Sequence, residues 1–508
     1  MAAVPLKIVV FDDDPTGSQT LHSCPLLLRW DAASLRAALA HPSPFLFLLA
    51  NTRALDPPAA AARVREICRA LGPALAEARA AGLVERWLLV SRGDSTLRSH
   101  FPLELEAIAA ELAGPEGFDA TLLVPAFLPG GRTTRDGVHR LHGEPVHTTA
   151  FARDRLLGYR SSYLPAWVEE KSGGRIPAAA VERIGLAELD AAAAELAEGG
   201  AGRDGDGGAG WRALCARLAA LEDNRCVAVD AERPQQLAAL GAAVRELTAP
   251  VGAPWRGRPR RFLFQSAASL LNALAPIGAQ PLDPPALAGL RRRDPDGAPL
   301  PGLVLVGSHV PLADAQLAAL LAEPGCAGIE VEVAKLARVL EGPVPDALLA
   351  SLERGWLQRL EAQLAAGRTP VLFTSRGEIH CRSAGERRRL GLELAGLMAR
   401  LAAALAPRLG YLISKGGITT HTLLAEGLGA AWVELQGQIL PGLSLVRLPG
   451  DGVTGTPELA ALPVVTFPGN LGEPDTLRRA WELMEFRAGS APAAGSASPR
   501  RPAPPPGG

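Results

Sequence analysis

Lysine is nearly absent from this chain. Only Lys7, Lys171, Lys335 and Lys415 occur, arginine supplying the rest of the 52 basic residues, so a lysine kept beside a glycine-rich turn stands out. Cysteine is sparse and scattered: Cys24, Cys68, Cys215, Cys226, Cys326 and Cys381 form no C-x-x-C pair and no Cys/His cluster at zinc spacing. They read as buried reduced thiols, without a disulfide scaffold or zinc module. Aromatic residues reach only 5%, and no stacking series accompanies the basic cluster Arg256, Arg258, Arg260 and Arg261. That cluster reads as solvated surface rather than an RNA contact. Neither sign of charge is in excess, with 52 basic against 53 acidic residues, which argues against a nucleic-acid partner. No apolar run approaches the ~20 residues of a membrane span, and Met1 to Val10 lacks a signal-peptide core. A cytoplasmic protein with no membrane partner is expected.

What is present is alternation. Short apolar, β-branched runs alternate with longer Ala/Leu/Arg segments of helical period, the pattern of βαβ units. Strands are expected at Leu6–Phe11, Phe45–Leu49, Trp87–Val90, Ala120–Val124 and Cys226–Val229, and then at Leu303–Val306, Gly328–Val333, Pro370–Phe373, Tyr411–Ile413, Ala431–Glu434 and Val464–Phe467. The fold class is therefore α/β, with two α/β domains of mostly parallel sheet, since 508 residues exceed one ordinary core. The proline-rich stretch with Arg291-Arg292-Arg293 reads as an exposed linker over 276–300, between domains at 1–275 and 301–486. A polar insertion near 198–210 and a disordered tail at 487–508 complete the reading.

Six segments carry chemistry. In KIVVFDDDPTGSQT, three carboxylates close a strand, a repulsive arrangement unless a cation or donor offsets it. Asp12-x-Asp14-x-Thr16 spells the nucleophile signature of haloacid-dehalogenase-like phosphatases; alternatively Asp13 and Asp14 bind a polyol and accept its proton; a solvated turn is the plain alternative. In SRGDSTLRSHFPLELEAI, Asp94, Ser95 and Arg98 sit where a helix is expected to begin, either as its cap or as an anion site. The loop bearing Gly130, Gly131 and Arg132 is rich in donors, and the spacing of His139, His142 and His147 fits no metal site. In the second half, LVLVGSHVPL, LISKGGITTHT and TFPGNLGEPDTL each run from strand through a small-residue turn into a helix, a geometry suited to phosphate.

The order of these motifs resembles the four-carbon acid sugar kinase family over roughly residues 7 to 485. The family's A-D-D-L-T-G is answered by Asp12 to Gly17, its D-S-T-L-R-G by Asp94 to Ser99, and its P-A-F-P with G-R by Pro125 to Phe127 and Gly131-Arg132. Its G-S turn matches Gly307-Ser308, its G-G-E/D-T loop Gly416 to Thr419, its G-x-i-x-P-G Gly437 to Gly442 and its K-S-G-x-F-G Phe467 to Gly472. Ile418 stands where the family has an acid, and the lysine of the last motif is replaced near Phe467-Pro468. The resemblance implies an ATP- and Mg2+-dependent kinase of a short sugar acid, a possible homodimer, with its site in the cleft between domains. Asp13 and Asp14 would orient or deprotonate the hydroxyl, and Thr16, Arg53, Asp94, Ser95, Arg98 and Arg132 would hold the acid sugar. Ser308, Lys415, Gly416, Gly417, Ile418, Thr419, Gly469 and Asn470 would hold the nucleotide. Two other readings stand beside it: the phosphatase, and a non-catalytic relic that binds sugar acid and nucleotide.

Overall fold

The computed structural model describes residues 6–14, 21–197, 208–249, 258–340, 345–376, 384–450 and 457–486. Thr16, Arg256, Cys381, the tail and most of the polar insertion lie outside them. Strands of the first half are β1 Leu6–Asp12, β2 Cys24–Leu27, β3 Phe45–Leu49, β4 Arg86–Arg92, β5 Ala120–Val124, β6 Arg132–Arg135, β7 Val138–Leu141, β8 Glu144–Pro145, β9 Glu182–Ile184, β10 Arg225–Val229 and β11 Phe262–Ser266. The second half contributes β12 Gly302–Val306, β13 Cys326–Val331, β14 Thr369–Thr374, β15 Tyr411–Lys415, β16 Trp432–Leu440, β17 Leu443–Arg447 and β18 Pro463–Phe467. Every strand expected from the apolar runs is present. Their continuous hydrophobicity has a physical cause: β1, β3 and β12 are covered by helices on both faces and are buried along nearly their whole length.

Fifteen strands form one sheet in the order β13-β14-β12-β15-β18-β17-β16-β2-β3-β1-β4-β11-β5-β10-β9, while β6-β7-β8 make a small separate sheet. All neighbours in the large sheet run parallel except β18-β17, β17-β16 and β16-β2. Two parallel α/β arrays are thus joined through antiparallel strands, and Trp432–Leu27 and Leu435–Cys24 register pairs bridge the halves. The burial of β16 alternates along its length, the signature of a strand with one covered face. β2 went unanticipated because Cys24-Pro25-Leu26-Leu27 is short and contains proline.

Strand order fixes where a site can lie. β1 is flanked by β3 and β4, and β12 by β14 and β15. In each array the chain passes to one side of the central strand and then to the other, leaving a crevice at the carboxyl end of β1 and of β12. The helix Pro57–Ala80, capped by the Asp56 side chain on Ala59 N–H, packs Val64, Ile67, Leu71 and Leu75 against the first array.

Two surface expectations are corrected. The stretch 276–300 is not a free tether: Leu287 is buried in the second core, and the Arg291 guanidinium donates to the Leu300 and Met484 carbonyls and pairs with Glu485. The basic cluster is not simply solvated, because Arg260 is buried and, with Arg258, bonds Asp119. Segment Arg389–Arg408 has the length and hydropathy of a membrane span, yet half of it is buried, with Leu397, Leu401 and Leu405 in the core.

Candidate active site

At the carboxyl end of β1 the chain turns sharply while three acids follow one another. Arg53 answers them: Nε and Nη2 donate to the two Asp13 oxygens at 3.0 and 2.6 Å, and Nη1 to Asp14 Oδ2 at 3.2 Å. Arg92, at the end of β4, lies 3.4 Å from both Asp12 Oδ1 and Asp13 Oδ1. Sequence reasoning missed Arg92 as a partner, because nothing local marks an arginine that meets its acids through parallel strand pairing. Burial pushes Asp12 up to about 7, opposed by Arg92 and aided by the neighbouring acids. Burial likewise raises Asp13 to about 6 against the pull of Arg53 and Arg92. Asp12 is fully buried, and its Oδ2 has no hydrogen-bond partner among the described residues. A phosphatase nucleophile must reach substrate, so Asp12 is badly placed for that chemistry.

That orphaned oxygen gives a stability prediction with a definite sign. A buried acid whose folded pKa lies above its unfolded value contributes stability at low pH, and that contribution is lost as pH rises from about 3.8 through about 7. Asp12→Asn removes the charge and keeps the shape. It is expected to raise the melting temperature of the ligand-free protein at pH 8 by a few degrees, on the order set by domain unfolding entropies, and by less at pH 5. Thermal unfolding at the two pH values measures this.

The segment from Gly93 to Ser99 is an irregular turn, and the helix after it begins only at Leu103. The expectation that Asp94, Ser95 and Arg98 open a helix is therefore corrected: side chains, not helix amides, shape this turn. Arg98 Nε donates to Asp94 Oδ2 at 2.7 Å, Thr96 Oγ1 also donates to Asp94, and the Arg98 guanidinium lies over the Phe151 ring. Burial opposes ionisation of Asp94, but Arg53 and Arg98 hold its carboxyl well below the usual range. Ser95 is buried, its carbonyl bonded by His139 Nε2 at 2.8 Å. His139 is thus a strut: its Nδ1 meets Thr134 Oγ1, and burial lowers its pKa to about 4. Arg132 opens β6, bonds the Gly130 carbonyl at 2.5 Å and lies 5.7 Å from the Phe127 ring centre.

Across the sheet, three glycine turns converge. Gly307-Ser308 follows β12, Lys415-Gly416-Gly417 ends β15, and Phe467-Pro468-Gly469 ends β18; Gly307 N–H donates to Lys415 O and Gly416 N–H to Phe467 O. A Cβ on Gly307 would lie 2.0 Å from Thr419 Oγ1, and one on Gly469 2.7 Å from Ser308 Oγ. Gly416 has φ of 119°, a conformation that favours glycine. Lys415 is fully buried, donating to Pro468 O at 3.1 Å over the Phe467 ring, and burial lowers its pKa to about 7. Asn470 is exposed on the turn beyond Gly469. Arg376, another residue missed in the sequence, follows β14, donates to Ser308 O and pairs with Asp314.

The two clusters meet. A Cβ on Gly417 would stand 3.0 Å from Asp14 Oδ2, so the last acid of the first half lies against the glycine turn of the second. Beside this contact a cavity of about 610 Å³ opens between the halves. Asn51, Leu55 and Arg63 line it from one side and His309, Leu392, Met398, Ile418, Thr419 and His421 from the other. Ile418 is 45% exposed there, so the position where the resemblance expects an acid presents an apolar wall. Among the described residues no cluster of His, Cys, Asp or Glu could cage a metal ion, and Arg53 engages Asp13 and Asp14.

Two family descriptions match the chain: a sugar-binding N-terminal domain over residues 8–274 and a nucleotide-binding C-terminal domain over residues 303–477. With the fold, these matches define a protein of a sugar-binding half followed by a nucleotide-binding half. A D-threonate kinase of Cupriavidus necator is 31% identical over 405 residues, covering 79% of this chain and 81% of that protein. One from Bordetella bronchiseptica is 30% identical over 414 residues, covering 80% of each. The chain belongs to the four-carbon acid sugar kinase family. Its fold is shared with a Salmonella typhimurium LT2 protein at TM-score 0.59 and 18% identity, over 94% of this chain and 98% of that one. It is shared as well with a Haemophilus influenzae DUF1537 protein at TM-score 0.55 and 15% identity, over 94% and 99%.

Proposed function

We propose that this chain transfers a phosphoryl group from ATP to the terminal hydroxyl of a short, four-carbon-like sugar acid. The observation that carries the reading is the apposition of Asp14 to Gly417, which sets a carboxylate from the acid cluster beside the converging glycine turns. In the first domain, residues 1–275, Asp14 accepts the proton of the attacking hydroxyl. Asp13 holds Arg53 in place through its bidentate pair, and Arg53 in turn orients Asp14. Asp94, Ser95 and Arg98 bind substrate hydroxyls, the pairing of Asp94 with Arg98 fixing both side chains before substrate arrives.

In the second domain, residues 301–486, the Gly307 and Gly416 N–H groups hold the turns together through Lys415 O and Phe467 O, which leaves the backbone N–H groups of Ser308 and Gly417 for the phosphates, with no Cβ on Gly416 or Gly417 in the way. Lys415 contributes positive charge from behind the turn, and magnesium arrives with the nucleotide and neutralises its phosphates. Ile418 and Met398 supply apolar surface for the nucleoside in the cavity between the halves. Phosphoryl transfer asks for positioning and charge neutralisation more than for covalent chemistry, and this arrangement offers both. Steady-state ADP release should appear only when a tetronate is added with Mg-ATP. If no acid sugar of three to six carbons stimulated ADP release, the kinase reading would fall.

A further inference from the structure

The candidate site lies at the carboxyl ends of the strands; at the amino end of the first array the sheet itself comes apart. β4 pairs with β1 from its first residue, Arg86 lying opposite Leu6, and β11 pairs with β5 from Phe262, opposite Ala120. The two strands are partners of each other only from Leu89 and Leu263 onward. Arg86 and Trp87 therefore have a strand partner on one side alone. In the fork a cavity of about 320 Å³ opens, lined by Arg86 to Leu89 on one side and Arg258 to Phe262 on the other. That volume is at the small end of ligand pockets.

Charge in the fork is one-sided. Arg79, in the last turn of helix Pro57–Ala80, lines it with Arg86, Arg258, Arg260 and Arg261, against only Glu85 and Glu116. Arg258 and Arg260 share the single carboxylate of Asp119, at 2.6 and 3.1 Å. Neither Arg86 nor Arg261 has an ion-pair partner among the described residues. Arg86 Nη1 donates to Arg245 O at 2.8 Å and Thr248 Oγ1 at 3.0 Å, which leaves Nε and Nη2 free of protein partners there. Arg261 Nη1 donates to Ala113 O and, at 2.9 Å, to Gly117 O. Burial lowers the pKa of both guanidinium groups, so holding them charged in one fork costs free energy that an anion would offset.

The two unpaired arginines come from opposite faces of the sheet. Arg86 is tied to the end of helix Pro234–Leu247, which packs in one core, and Arg261 to the end of helix Leu103–Leu112, which packs in the other. We propose that the fork between β4 and β11 binds a small organic anion with two charged heads, each a carboxylate or a phosphate, bridging Arg86 and Arg261. Guanidinium groups suit either head because their paired N–H donors match its oxygens. Arg79 is exposed and adds positive charge at the entrance. The fork is separate from the acid cluster: β4 runs seven residues, roughly 20 Å at the rise of a strand, before Arg92 meets Asp12. The assignment stands whether or not the chain is a kinase.

Calorimetric titration of the full chain with phosphoglycolate and with malonate tests this, acetate serving as the single-headed control. At least one of the two-headed anions should bind ~10-fold or more tighter than acetate, the scale of one added hydrogen bond to a charged group. Binding of phosphoglycolate alone marks phosphate as a required head and binding of malonate alone marks two carboxylates; either upholds the site. Arg86→Gln should weaken that binding by ~10-fold or more, whereas Arg98→Gln, at the far end of the strands, should leave it unchanged. If Arg86→Gln did not fold, Arg79→Glu would be read in its place, with ~3-fold or more expected for an exposed charge. Acetate binding as tightly as the two-headed anions, no binding of either, or binding that Arg98→Gln loses and Arg86→Gln keeps would overturn the assignment. So would an RNA oligonucleotide that binds where the small anions do not.

Discussion

Asp14→Asn is expected to lower turnover by at least ~100-fold, the usual scale for removing a positioned general base, while ATP affinity stays within a few-fold of wild type. The asymmetry follows from placement. Asp14 is the acid nearest Gly417, and Arg53 touches it through only one nitrogen, whereas both Asp13 oxygens are occupied by Arg53. An amide in place of Asp14 keeps the shape and still accepts a hydrogen bond from Arg53, so folding should survive; it cannot take a proton from an alcohol. Asp13→Asn weakens the clamp on Arg53 and should therefore affect substrate KM along with kcat. Single-turnover kinetics together with calorimetric ATP titration separate the two. Full activity in Asp14→Asn would remove this carboxylate from the mechanism.

Gly417→Val should cost more, and on both substrates. Its Cβ alone would press on Asp14 Oδ2 at 3.0 Å, and the two methyl groups would fill the gap between the acid and the glycine turn. The variant is expected to lose ATP affinity by ~100-fold or more and to lose turnover with it, since a branched side chain at close approach displaces both the phosphates and the base. The ligand-free fold should be little disturbed, because Asp14 is the group that the new Cβ meets and it sits at the end of a turn. Calorimetry with ATP and a melting curve for the same preparation test both halves of this expectation. Unchanged ATP affinity would move the nucleotide site away from this turn.

Much of this arrangement was legible before any coordinates, for a physical reason. Strands buried on both faces announce themselves as apolar runs, and turns that must approach a ligand or another turn demand glycine, so Leu6–Asp12, Gly302–Val306 and the Gly416-Gly417 turn all stand out. What stayed hidden depends on pairing between distant residues. Nothing near Arg92 shows that it will meet Asp12, and nothing in Ser375-Arg376-Gly377 shows that its guanidinium will reach Ser308. The turn at Asp94 misled because Pro102, Leu103 and Glu104 do start a helix, but only after the side-chain network has been built. Lys415 was noticeable for its rarity; that it would be wholly buried over Phe467 could not be read from its neighbours.

The antiparallel seam of β2 with β16 has a mechanical consequence. Two lobes tied by a loose tether can gape and clamp like jaws, but here backbone hydrogen bonds run across the junction, so any closing motion must be taken up as twist and shear spread along the ladder. Cutting the chain between the lobes would strip β2 and β16 of their mutual partner and leave two raw backbone edges, which natural sheets avoid presenting to solvent. The sugar half and the nucleotide half therefore share one continuous sheet, and the seam lies between the crevices on either side of it.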